Sequence, residues 1–182
     1  LSGMGGSAIG ADLLSAYAMD VCPVPVIVHR DYGLPSFARG EKTLVICSSH
    51  SGDTEETLDS FEAARRQGCH VLAVCTGGEL ALRAQKDKVP LITFEHAGQP
   101  RAAVGFSFGI LLAVFVRLGL IPDQADEIQS AVAAMQEMRS SLGPGVPAAE
   151  NPAKRYAGQL VGPDIAVKRI ALLQQAHAHH IE

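Results

Sequence analysis

Residues 43–57 read TLVICSSHSGDTEET. The first five form a continuous apolar and β-branched run, the pattern of a strand buried on both faces of a parallel sheet. Ser48, Ser49, His50, Ser51 and Gly52 then make a polar loop, and from Thr54 the pattern turns acidic and helical. Strand, short loop and helix in that order are the unit from which doubly wound sheets are built. Further strand-length apolar runs lie at 24–28, 70–75 and 90–94, separated by helical stretches at 8–19, 54–67 and about 79–85.

This alternation predicts a three-layer αβα, flavodoxin-like fold with a parallel sheet of about five strands. The count includes a truncated first strand. The sequence opens at Leu1 and is already in a glycine turn by Gly3, a turn that normally follows a strand, and it carries neither an initiator methionine nor a signal peptide. After the last strand the pattern is helical at 101–118, 123–142, 152–160 and 166–179. GPGVPAAENP at 143–152, with three prolines, reads as a linker. The expected organisation is therefore a domain over 1–142 and the helical start of a second half over 153–182.

With 182 residues, 47% hydrophobic and 19% charged, the chain suits one complete α/β domain. A net charge of −4 without a run of Lys or Arg excludes the long-range field that gathers nucleic acid or an anionic membrane, so neither is expected as a partner. Cys22, Cys47, Cys69 and Cys75 lack C-x-x-C spacing and read as free thiols of a cytoplasmic protein. The most apolar helical stretch, 102–116, is bracketed by Arg101 and Arg117 and is shorter than the roughly 20 residues of a spanning helix. It reads as a core or interface helix.

Two loops carry chemistry. Gly3-Met4-Gly5-Gly6-Ser7-Ala8 lies between a strand and a helix, where glycines let backbone N–H groups approach an anion at the positive helix end. It also fits the G-x-G-x-x-A dinucleotide pattern, with Asp31 near the place of the ribose-binding acid, and a tight turn needing only glycine is the plain alternative. The second loop favours a phosphate monoester: Ser48, Ser49, Ser51 and Thr54 offer hydroxyl donors, and neither a loop Lys nor a G-x-x-x-x-G-K-[ST] motif is present for a triphosphate. Asp53 and Glu56 stand at capping-box spacing, so ordinary capping accounts for part of the pattern. Ser51 lacks the G-x-S-x-G setting of a hydrolase nucleophile.

GMGGSAIGADLL together with SSHSGDTEETL resembles the paired phosphate loops of the sugar isomerase (SIS) domain. Gly98-Gln99-Pro100-Arg101-Ala102-Ala103-Val104-Gly105-Phe106 is similar to a G-x-Q-P-R-A-x-x-G-aromatic segment of the bifunctional phosphoglucose/phosphomannose isomerase family. The resemblance covers residues 3–118 and extends loosely through 151–155. It implies an amino-terminal SIS domain of an aldose-ketose isomerase that interconverts glucose 6-phosphate or mannose 6-phosphate with fructose 6-phosphate through an enediolate, with no metal or organic cofactor.

By the same resemblance, Gly6, Ser7, Ser49, Ser51 and Thr54 bind the substrate phosphate and Arg101 stands at the sugar carbons as the catalytic cation. Arg101 near a helix start sets a positive charge against the dipole, which calls for an anionic partner. His50 and Asp53 replace the family's usual aromatic and Asn. The family's proton-transferring carboxylate and ring-opening His belong to its carboxy-terminal half, so these residues by themselves are expected to bind and not to isomerise. Glu55, Glu56 and Glu95 are explained as solvated positions. A homodimer through the long apolar helices is expected. A sugar-phosphate sensor of a transcriptional regulator is the alternative, and Arg101 in its G-Q-P-R setting favours the isomerase. His177, His179, His180 and Glu182 read as a frayed terminus, not a metal site.

Overall fold

A computed structural model of the chain describes residues 1–160. The helix expected at 166–179 and the terminal histidines lie outside the described residues. The chain divides into two compact units, Leu1–Asp123 and Gln124–Glu182.

The first unit is built on a parallel sheet of β1 (Leu44–Ser49), β2 (His70–Cys75) and β3 (Leu91–Thr93), in that order. Side-chain alternation along the strands sorts the core into two layers. Val45, Cys47, Val71, Ala73 and Cys75 face α2 (Glu55–Arg66) and α3 (Gly78–Lys86), where they pack with Phe61, Ala64, Leu80 and Ala84. Ile46 and Val74 point the other way, to α1 (Gly5–Ala18) and α4 (Val104–Arg117), and meet Leu14, Leu111, Leu112 and Phe115. Full burial of a side chain such as Phe61, with 0% exposed, contributes about 2–3 kcal/mol. The expected three-layer αβα arrangement is present.

Residues 1–3 run extended between two neighbouring segments. Ser2 bridges His29 on one side and Cys47 on the other, both parallel. The ladder runs through Ser2 N–H to Ile46 O (2.8 Å), Ser48 N–H to Ser2 O (2.8 Å), His29 N–H to Leu1 O (2.8 Å) and Gly3 N–H to His29 O (3.2 Å). Taken with β1 to β3, the order is the second segment, the first, then β1, β2 and β3, which is the flavodoxin-like order. The 24–28 run is not a strand. Among the described residues its segment pairs with residues 1–3 through a single bridge, at His29.

Cys47 and Cys75 are buried as expected, and burial pushes the Cys47 thiol up to about 12. The 101–118 helix begins later than its pattern suggested. Pro100–Ala103 form a 3₁₀ turn and α4 starts at Val104, because Pro100 at the first position favours a tight opening turn. By length and composition, Pro100–Arg117 could cross a membrane. It is instead packed on α1, where a Cβ on Gly10 would lie 2.5 Å from Ser107 Cβ.

In the second unit, α5 (Ala125–Leu142) and α6 (Pro152–Gln159) flank the stretch expected to be a linker. That stretch is tied: Asn151 caps α6 by accepting from Lys154 N–H (3.1 Å), donates to Gly143 O (3.2 Å), and Lys154 Nζ donates to Pro144 and Val146 carbonyls (2.7 and 2.6 Å). The two units divide after Asp123, ahead of α5.

Candidate functional site

A doubly wound sheet opens a crevice at the carboxyl ends of the two strands where the order reverses. Here those strands are residues 1–3 and β1, and the loops that leave them are the two singled out by sequence. They touch: a Cβ on Gly3 would lie 2.7 Å from Ser48 O.

The first loop enters α1 sooner than expected. The helix begins at Gly5, which takes a φ of +51°, so Gly6 and Ser7 belong to its first turn. Met4 at the N-cap supplies no side-chain hydrogen bond. The opening N–H groups therefore keep their capacity to bind an anion. Ser7 is buried, 5% exposed, at the base of this turn.

The second loop is held by its own hydroxyls. Ser49 Oγ accepts from Gly52 N–H (3.0 Å) and lies 2.9 Å from Thr54 Oγ1, and Ser51 Oγ accepts from Asp53 N–H (3.2 Å). Thr54 is the N-cap of α2 without a side-chain cap bond. The expected Asp53–Glu56 capping box does not form, because Asp53 reaches sideways and accepts from Glu79 N–H (2.8 Å) at the start of α3. Glu55 is turned away to the Tyr32 hydroxyl (3.1 Å). The first turn of α2 is thus a second uncapped helix end beside the first.

Sequence inspection missed two elements of the site. The Thr76-Gly77-Gly78 loop after β2 buttresses Gly52: a Cβ there would stand 1.9 Å from Gly77 O. Thr76 donates to His50 O through both N–H (3.0 Å) and Oγ1 (2.7 Å). The T-G-G string after an apolar strand was the available signal. The other is the contact between the Gly98–Arg101 segment and α1, where a Cβ on Gly6 would lie 2.9 Å from Pro100 O and 3.7 Å from Arg101 N. This brings Arg101 to the crevice. Its side chain is exposed and makes no hydrogen bond or ion pair among the described residues. Glu95 is exposed on the segment after β3.

The arrangement offers two uncapped helix ends, the hydroxyls of Ser49, Ser51 and Thr54, and an unpaired guanidinium, which is the donor set a phosphorylated polyol needs. Among the described residues no group of three or more His, Cys, Asp or Glu is arranged to hold a metal ion.

No family model matches the chain. The bifunctional phosphoglucose/phosphomannose isomerase of Caldicellulosiruptor bescii is 47% identical over 160 residues, covering 88% of this chain and 47% of the relative. That of Aquifex aeolicus is 33% identical over 141 residues, covering 77% and 42%. The chain spans about half the length of the curated relatives it matches. Among solved structures, a candidate phosphosugar isomerase from Clostridium difficile 630 superposes with a TM-score of 0.63 at 14% identity, over 87% of this chain and 46% of that one. The tagatose-6-phosphate ketose/aldose isomerase of Escherichia coli gives 0.54 at 17% identity, over 78% and 43%. These likenesses show the SIS fold.

Proposed function

Because the chain belongs with the bifunctional phosphoglucose/phosphomannose isomerases in sequence, we propose that it is the sugar-phosphate-binding half of an aldose-ketose isomerase. The reaction interconverts glucose 6-phosphate or mannose 6-phosphate with fructose 6-phosphate through an enediolate. The observation that carries this reading is the switch-point crevice, where two uncapped helix ends meet beside the 98–101 segment.

In this reading the N–H groups of Gly6 and Ser7, with the hydroxyls of Ser7, Ser49, Ser51 and Thr54, hold the phosphate. The sugar carbons then extend toward Arg101, whose charge stabilises the enediolate oxygen as it develops. Neither a metal nor an organic cofactor is required for a base, an acid and a cation to move a proton between adjacent carbons. The base and the ring-opening acid come from the other half of the enzyme. Residues 1–142 form the binding domain, 143–152 the connection and 153–182 the start of the second half. The enzyme is cytoplasmic and pairs as a homodimer through its apolar helices, on which Ile9, Leu13, Phe106, Ile128, Val132 and Met135 stay exposed.

Calorimetric titration with fructose 6-phosphate tests the reading. The 182-residue chain should bind saturably, and Ser51→Ala should weaken binding by roughly 1–3 kcal/mol, the range for a hydrogen bond to a charged group. A coupled assay on the same chain should show conversion to glucose 6-phosphate near the solvent background, since general acid-base steps contribute about 10²–10⁴-fold each. Full affinity in Ser51→Ala, or phosphate found away from the crevice in a ligand complex, would overturn the assignment.

A further inference from the structure

We propose that a hydrogen-bonded imidazole pair, His50 with His96, positions the 98–101 segment and thereby Arg101 at the anion crevice. The inference rests on the sugar-phosphate reading above. His50 Nε2 lies 2.9 Å from His96 Nδ1, with ring centroids 5.1 Å apart and planes at 85°. One nitrogen donates and the other accepts. The bond joins the loop after β1 to the segment after β3, 46 residues apart.

The His96 ring of the pair lies against the backbone it is assigned to hold. A Cβ on Gly98 would lie 2.9 Å from His96 Cε1 and 3.1 Å from Nε2, so the Gly98 backbone rests directly on the ring, and only glycine permits that approach. Phe94 meets His50 at 5.9 Å edge-on, Phe106 stacks on Phe94 at 5.4 Å, and His96 meets Phe106 at 5.6 Å. The four rings tie β3's end, the β1 loop and the first turn of α4 into one cluster.

Little else anchors this stretch. Glu95 and residues 97–102 are exposed, and from Phe94 to Gln99 the His96 ring makes the one side-chain hydrogen bond among the described residues. Beyond it, Pro100 O packs on Gly6 and Arg101 follows at once. A segment pinned at His96 and at Gly6 presents Arg101 with its backbone already ordered. Without the first pin, ligand binding must order the segment itself, and affinity falls by that cost. His96 is a positioning residue, because it acts through Arg101.

The test titrates the chain with glucose 6-phosphate and, separately, with inorganic phosphate. His96→Phe keeps a ring beneath Gly98 and removes the hydrogen bond. It should weaken glucose 6-phosphate about three- to tenfold, the effect of one lost hydrogen bond, and leave phosphate affinity unchanged. His96→Asn, whose amide stands in for Nδ1, should return to within about twofold of the parent chain. In an Arg101→Ala background, His96→Phe should have no further effect.

Unchanged glucose 6-phosphate binding in His96→Phe overturns the inference alone. So does a weakening that persists in full without Arg101, or one that His96→Asn fails to rescue. If the parent chain binds neither ligand, the sugar-phosphate reading and this inference fall together. Should His96→Phe lose phosphate binding as well, His50→Leu removes the same bond from the other side and is judged by the same pattern.

Discussion

Arg101→Ala, introduced into the complete two-half enzyme, is expected to lower kcat by about 10²–10³-fold, the effect of removing one preorganised stabiliser of a developing oxyanion. The expectation starts from its setting. Arg101 stands in the 3₁₀ turn just ahead of α4, where the helix dipole disfavours a cation, and its guanidinium has no partner among the described residues. An exposed arginine on a surface turn ordinarily needs no explanation. This one lies on the segment pressed against Gly6 in the first turn of α1, where the phosphate is proposed to sit.

A cation beside the sugar contributes modestly to the bound ground state, about three- to tenfold in affinity, and far more once the enediolate charge forms. Turnover should therefore fall much further than affinity, and kcat and kcat/KM should drop together. Steady-state kinetics in both directions check this. A variant with parental kcat and a raised KM would make Arg101 a binding residue and remove it from the catalytic role.

Gly52→Ala is expected to destabilise the first unit by about 2–6 kcal/mol, combining backbone strain with overpacking. Gly52 has a φ of +81°, in the left-handed region that L side chains avoid, and its Cβ would stand 1.9 Å from Gly77 O. The obstacle is a backbone carbonyl, which cannot rotate aside like a side chain. Either the 76–78 loop moves or the 48–54 loop does, and the second would carry Ser49, Ser51 and Thr54 with it.

Gly40→Ala is the control, because Gly40 has a φ of +72° and nothing within 4 Å of an added Cβ. It should cost only the conformational strain, about 1 kcal/mol. Urea unfolding of both variants separates the two contributions, and sugar-phosphate titration of Gly52→Ala should show the site lost with the loop. Equal destabilisation of the two variants would mean that the 76–78 loop does not buttress Gly52.

Most of the layer structure could be read from residues 43–57 and their counterparts, because strand burial and helix periodicity are local properties of the pattern. Buried Cys47 and Cys75, the two glycine- and hydroxyl-rich loops and the G-Q-P-R segment were legible for the same reason: their residue types stand out without reference to neighbours. Where local reading failed, a distant partner had intervened. The capping box was displaced because Asp53 found Glu79 N–H on another helix. The 24–28 run failed to become a strand because a strand needs a paired neighbour, and among the described residues that pairing is a single bridge at His29.

By itself, then, the sequence determined most of the element types, the glycine- and hydroxyl-rich chemistry of two loops and the kinship with the phosphoglucose/phosphomannose isomerases. Only the tertiary structure decided which segments meet. Placing residues 1–3 between the His29 segment and β1 creates the switch-point crevice, and packing Pro100 on Gly6 brings Arg101 to it. The His50–His96 bond spans 46 residues, and nothing local to either histidine names the other as its partner. Contacts of that separation are set by sheet order and backbone close approach, which no local period records.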